Sequence, residues 1–79
     1  MLKNDYAALF AENIRAQRAR KQLGQMEVAA AMGAHGFHWA PQTVSKIERC
    51  GRAITAAEMC ALAGILDVPL SALLTATAQ

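Results

Sequence analysis

Aromatic residues make up only 5% of this 79-residue chain and proline appears twice, whereas 54% of the residues are hydrophobic, many of them alanine. Small side chains of that kind suit helices that cross closely better than they suit sheets. Runs of Val and Thr alternating with polar residues are missing, which removes the usual mark of a strand. No apolar stretch nears the ~18 residues that a membrane span needs. The opening Met-Leu-Lys-Asn-Asp lacks the apolar segment of a secretory signal, so the expected location is the cytoplasm. Cysteine is limited to Cys50 and Cys60, too few for a disulfide framework. Combined with His35 and His38 they follow no finger spacing, and no metal is expected. Catalytic patterns are missing as well: there is no Ser–His–acid order, no paired carboxylates and no phosphate-cradling glycine loop. A chain this short has little room for a substrate pocket, so neither enzyme activity nor a cofactor is expected.

What is present fits one small domain over residues 1–79, with a core from about 5 to 74. A chain of this length buries only about 60% of its unfolded surface, so the core must be compact. The net charge of +2 and pI near 8.8 are compatible with a polyanionic partner without demanding one. The distribution says more. Arg15, Arg18, Arg20 and Lys21 crowd the end of one segment, and Lys46, Arg49 and Arg52 the end of another. Cations at helix C-termini also complement the helix dipole, which explains part of the pattern structurally.

Taken in order, Asn4 or Asp5 can cap a first helix running to about Lys21, with Tyr6, Phe10, Ile14 and Gln17 or Arg18 on its inner face and Glu12, Arg15 and Arg20 pointing away. A guanidinium at the foot of an apolar stripe requires a partner, and Glu48 is the candidate for Arg18. A second helix spans 25–32, with Gly24 as N-cap, Gly33 as stop, Val28, Ala29 and Met32 inward, and Met26 and Glu27 facing solvent. The joint at 34–40 is long and carries Phe37 and Trp39. Trp39 is expected to plug the core beside Val44, and Phe37 to join it or pack outside the second helix; alternatively His35, Phe37 or His38 touches a partner. Thr55 and Glu58 form a capping box for a fourth helix to about Leu66, with Met59, Leu62, Ala63 and Leu66 inward and Cys60 as a small buried hydrophobe. Asp67-Val-Pro69 ends it, and 70–74 is a fifth short helix whose leucines could supply a dimer contact.

Between these lies the stretch 41–50, read as a third helix, with Pro41 suited to its first position and Gly51 placed as its stop. Val44 and Ile47 share one face, while Gln42, Ser45, Lys46 and Arg49 fall on the other. Long hydrogen-bond donors on a short outward helix suit base edges in a DNA major groove. The same pattern also suits an ordinary solvated surface helix.

With the helices laid out this way, the chain resembles the Cro/C1-type helix-turn-helix family, the xenobiotic-response-element-like regulators. The residues that carry the resemblance are Ile14-Arg-Ala-Gln-Arg18, Leu23-Gly-Gln25, Val28-Ala29, Met32-Gly33, Thr43-Val-Ser-Lys-Ile-Glu-Arg49, and Leu62-Ala63 through Leu66-Asp-Val-Pro69 to Leu74. The resemblance implies an all-α, compact five-helix lambda-repressor-like domain that binds double-stranded DNA as a repressor-like, nucleoid-associated regulator. It implies that the second helix lies across the DNA backbone and the third enters the major groove. Position by position, Pro41, Gln42 and Lys46 match sites that touch bases, and Thr43 is assigned to them. Gln25 matches a phosphate contact, and Ser45, Arg49 and Arg52 are assigned to phosphates with it. The match also implies the Arg18–Glu48 salt bridge.

Three features depart from the family pattern. The joint between the second and third helices is longer than the usual tight turn, Gln17 replaces an aliphatic residue, and Cys50 occupies the place of the stop glycine, so the third helix is expected to run on slightly. A homodimer is expected, reading half-sites about 34 Å apart. The alternative is an interaction or antitoxin-like module of the same fold whose main partner is another protein.

Overall fold

The structure, a computed structural model, describes residues 6–50 and 52–75. The expected cap at Asn4 or Asp5 and the stop at Gly51 lie outside the described residues. Among the described residues there are four α-helices, α1 Tyr6–Arg20, α2 Gln25–Ala34, α3 Pro41–Glu48 and α4 Ala56–Leu66, followed by a 3-10 turn at Leu70–Leu73. The expected fifth helix is therefore a single tight turn. Pro69 precedes it in extended backbone, and a segment this short closes more readily with the tighter hydrogen bond.

The core is aliphatic, as the composition requires. Phe10 and Ile14 of α1, Val28, Ala29 and Met32 of α2, Val44 and Ile47 of α3, and Leu62, Ala63 and Leu66 of α4 are buried together with Leu73. Leu23, Phe37, Trp39, Ile54 and Met59 close over them from the connections and the start of α4. Met26 and Glu27 are exposed. Ala29 is buried on α2, and α3 packs most extensively on α2 and then on α1. Full burial of a Leu, Ile or Met side chain contributes roughly 1.5–3 kcal/mol, so this cluster supplies most of the stabilisation available to the domain.

Several inner-row expectations require correction. Tyr6 is 58% exposed, because α1 begins past the edge of the core and the ring sits on the rim of a surface groove. Cys60 is exposed. On a helix turning about 100° per residue, the buried row through Leu62, Ala63 and Leu66 leaves Cys60 on the outer side. Leu73 is fully buried and Leu70 half-buried, leaving Leu74, 37% exposed, as the most open of the terminal leucines. Asn13, which the spacing did not single out, is buried and donates from Nδ2 to the carbonyls of Leu73 at 3.0 Å and Thr75 at 2.8 Å. That pair of bonds ties the C-terminal turn to α1 and satisfies two end carbonyls.

The helix ends also differ from expectation. Gly33 lies inside α2, which continues through Ala34, and Gly36 takes the left-handed conformation at φ +92°. The third helix, expected to reach Cys50, ends at Glu48 with Arg49 as C-cap, and Cys50 turns left-handed at φ +62°. Gln22 and Asp67 do the same after α1 and α4, at φ +57° and +58°. Each helix is thus followed by a left-handed residue, and only after α2 is that residue glycine. The other three bear the steric strain of a Cβ in that region.

Candidate nucleic-acid interface

The start of α3 is organised by its N-cap and its first turn. Ala40 is the extended N-cap, Pro41 occupies the first turn, and the Ala40 N–H donates to Thr43 Oγ1 at 3.2 Å while the Thr43 N–H donates to the Ala40 carbonyl at 2.8 Å. The Thr43 hydroxyl is therefore engaged in the cap, although its own proton remains available to a partner. Pro41, Gln42, Lys46 and Arg49 are exposed, Thr43 and Ser45 are half-buried, and Val44, Ile47 and Glu48 are sunk. Gln42, Lys46 and Arg49 follow one another at helical spacing, which sets them along a single ridge. The side chains of Gln42 and Lys46 make no hydrogen bond with the described residues. Arg49 uses one donor, Nε, on the Ser45 carbonyl at 3.3 Å, leaving the rest of its fork directed outward.

Below this ridge, Glu48 fixes α3 to both earlier helices. Arg18 Nε donates to Glu48 Oε2 at 2.7 Å and Arg18 Nη2 to Oε1 at 3.0 Å, a two-pronged pairing. Arg18 Nη1 also donates to the Leu23 carbonyl at 2.9 Å. Glu48 is 4% exposed. Hydrogen bonding to the Glu48 carboxylate raises the Arg18 pKa, against the opposing effect of burial, so the guanidinium remains charged. Arg15, expected to point into solvent, donates from Nη1 to the Glu48 carbonyl and so caps the end of α3. The signal was available, because Arg15 stands three residues from Arg18 and shares its side of the helix.

Gln25, assigned to phosphate, sits at the first position of α2 and donates from Nε2 to Glu48 Oε1 at 3.1 Å. Its amide is thereby held at the junction of α2 and α3 with one hydrogen to spare. Arg52, also assigned to phosphate, lies away from this junction, beside Trp39 and Glu58. Its guanidinium sits 5.5 Å from the centroid of the Trp39 ring and donates to both oxygens of Glu58, at 3.4 and 3.2 Å, and to the Ala53 carbonyl at 3.1 Å. Pairing with a carboxylate and stacking on an indole leave this cation fewer donors for a phosphate than Arg49 keeps.

Glu58 is the residue that sequence spacing explained only in part. As expected, Thr55 caps α4 and the capping box with Glu58 is formed. Beyond that, Glu58 is buried and its Oε2 accepts the Trp39 indole N–H at 3.1 Å. Burial alone would raise its pKa; the Thr55 N–H, Arg52 and Trp39 donors outweigh that and hold it at about 2. Trp39 is consequently half-buried over the core rather than plugged into it, because its ring nitrogen must reach this carboxylate.

Among the described residues no group of three or more His, Cys, Asp or Glu could hold a metal ion, and no helix is long and apolar enough to cross a membrane.

The fold is an all-α helix-turn-helix domain, with α2 and α3 as the paired helices and a lengthened joint between them. Two solved structures resemble it over nearly its whole length. The S. venezulae BldD DNA-binding domain is 29% identical with a TM-score of 0.72, covering 91% of this chain and 100% of its own. A crystal structure of the DNA-binding domain of BldD is 28% identical with a TM-score of 0.74, covering 94% of this chain and 100% of its own. No family model matches the sequence, and no curated protein matches it.

Proposed function

We propose that this chain is a DNA-binding transcription regulator of the Cro/C1 type, repressor-like in action, that reads the major groove with α3. The observation that carries the reading is the outward ridge of Gln42, Lys46 and Arg49 on a helix whose opposite face and C-terminal end are locked to α1 and α2. The likeness to two DNA-binding domains supports it. In this reading Gln42 and Lys46 pair with bases, Thr43 assists from the first turn, and Gln25, Ser45 and Arg49 meet phosphates. Arg52 is left out of the phosphate set because of its pairing with Glu58.

A homodimer belongs to the proposal. A single short reading helix buries too little surface for specificity, and Tyr6, Phe10, Ile54, Met59 and Leu74 line an apolar groove of about 240 Å³ suited to a second copy. Sedimentation showing only monomer, with and without DNA, would remove the dimer. The test of the roles is selection from a random duplex library. Lys46→Ala should change the enriched sequence, whereas Arg49→Ala should weaken all sequences alike, by about one counterion's worth of salt slope. Identical behaviour of the two variants would remove the division into base and phosphate contacts.

A further inference from the structure

The ends of α3 are attached to the rest of the molecule in two ways. Glu48 anchors the helix itself, while the connections on either side of it converge on Glu58 of α4. Trp39, just before the N-cap, gives its indole N–H to Glu58 Oε2 at 3.1 Å. Arg52, in the connection after α3, reaches the same oxygen at 3.2 Å and lies over the Trp39 ring at 5.5 Å. Glu58 in turn is fixed on α4 by the Thr55 N–H at 2.9 Å, and its own N–H donates to Thr55 Oγ1 at 3.1 Å. The carboxylate is buried and each oxygen is engaged by more than one donor, so this is a built contact rather than a chance surface pair.

This arrangement answers a problem set by the long joint. A tight helix-turn-helix fixes the angle of its second helix by having almost no slack in the turn. Here the chain from His35 to Ala40 separates α2 from α3, and Gly36 within it adopts a left-handed bend. Slack of that length would let the start of α3 shift unless something outside the joint restrained it.

We propose that Trp39 and Glu58 are positioning residues for base reading: the clamp restrains the lead-in to α3, with Arg52 closing it from the lead-out, and so sets the tilt at which Gln42 and Lys46 meet base edges. The inference rests on the DNA-reading role given to α3 above. Base pairing by a side chain depends on alignment, whereas contacts to phosphate tolerate displacement. The clamp therefore governs discrimination among sequences more than attraction to DNA.

The experiment compares two affinities, for a random-sequence duplex and for a duplex enriched from a random library by the unaltered chain, with thermal midpoints measured in parallel. The variants are Trp39→Phe, which keeps a ring under Arg52 but loses the N–H, Arg52→Gln, Glu58→Gln and the Trp39→Phe/Glu58→Gln pair. Expected is a loss of about tenfold on the enriched duplex for Trp39→Phe, with random-duplex affinity within about twofold. The double variant should lose less than the product of the two single losses, because both break one shared contact. Arg52→Gln, at a half-exposed side chain, keeps the test open if a Glu58 variant fails to fold; it should lower the enriched-to-random ratio in the same direction. An unchanged ratio in Trp39→Phe and Arg52→Gln, or equal losses on both duplexes, overturns the clamp while leaving the DNA reading intact. An unaltered chain that binds neither duplex, or enriches no sequence, removes the DNA reading and the clamp together.

Discussion

Glu48 and Glu58 are both buried carboxylates that meet an arginine, yet they hold different parts of the molecule. Glu48 receives Arg18 from α1 and Gln25 from α2, so it joins three regular helices at one point. Glu58 receives Trp39, Arg52 and the Thr55 N–H, which come from connections rather than helices. The first contact sets where α3 lies in the core; the second controls how the chain enters and leaves it. An interior ion pair on helices is rigid because its partners are already ordered, whereas one built from connections must order them itself.

The comparison predicts unequal costs. Arg18→Ala leaves Glu48 buried and short of its strongest donor, and should destabilise the fold by about 3–5 kcal/mol in urea unfolding. Arg52→Ala should cost about 1 kcal/mol, because its side chain is 36% exposed and Glu58 keeps the Thr55 and Trp39 donors. Equal losses would break the distinction between the two sites.

Acid should separate them next. The Glu58 pKa is about 2 in the fold against a usual value of 4.5, so its contribution is fully present above the usual value and is lost as pH falls towards 2. The contribution is on the order of 3 kcal/mol at neutral pH. Urea midpoints measured between about pH 5 and about pH 2 should fall in the unaltered chain and fall less in Glu58→Gln. A slope untouched by that substitution would mean that Glu58 is not held charged by its donors.

The smallest effects concern the helix ends. Gly33→Ala should stabilise by roughly 0.5–1 kcal/mol, since the position is helical and a Cβ there meets nothing within 4 Å. Cys50→Gly should stabilise by a similar amount, roughly 0.5–1 kcal/mol, by relieving a left-handed residue that carries a side chain. Destabilisation by Gly33→Ala would restore Gly33 as the end of α2.

The same two carboxylates show what could be read from the sequence. Arg18 stood at the foot of an apolar stripe and demanded a partner, and a helical segment offered Glu48; periodicity alone exposes such a conflict. Glu58 gave no such signal, because the capping box with Thr55 already explained its presence. Arg52 looked free for the same reason, one basic residue among several near the end of a helix. The ring of Trp39 points to a place against the core, but the destination of its N–H depends on how a connection folds back on α4, which no local spacing encodes. The ends of α2 and α3 differ from a reading based on glycine stops, since Gly33 is helical and Cys50 accepts left-handed backbone despite its side chain. The exposed ridge of α3 was legible because Val44 and Ile47 fix which side faces inward, leaving Gln42, Lys46 and Arg49 outward.

The central claim, that this ridge meets DNA, is tested most directly by titrating the chain against a random-sequence duplex at a series of salt concentrations. The account predicts binding at low salt that weakens steeply as salt rises, with the logarithmic slope reduced by about one in Arg49→Ala. Absence of binding at the lowest salt, or an affinity indifferent to salt and to Arg49→Ala, would contradict it.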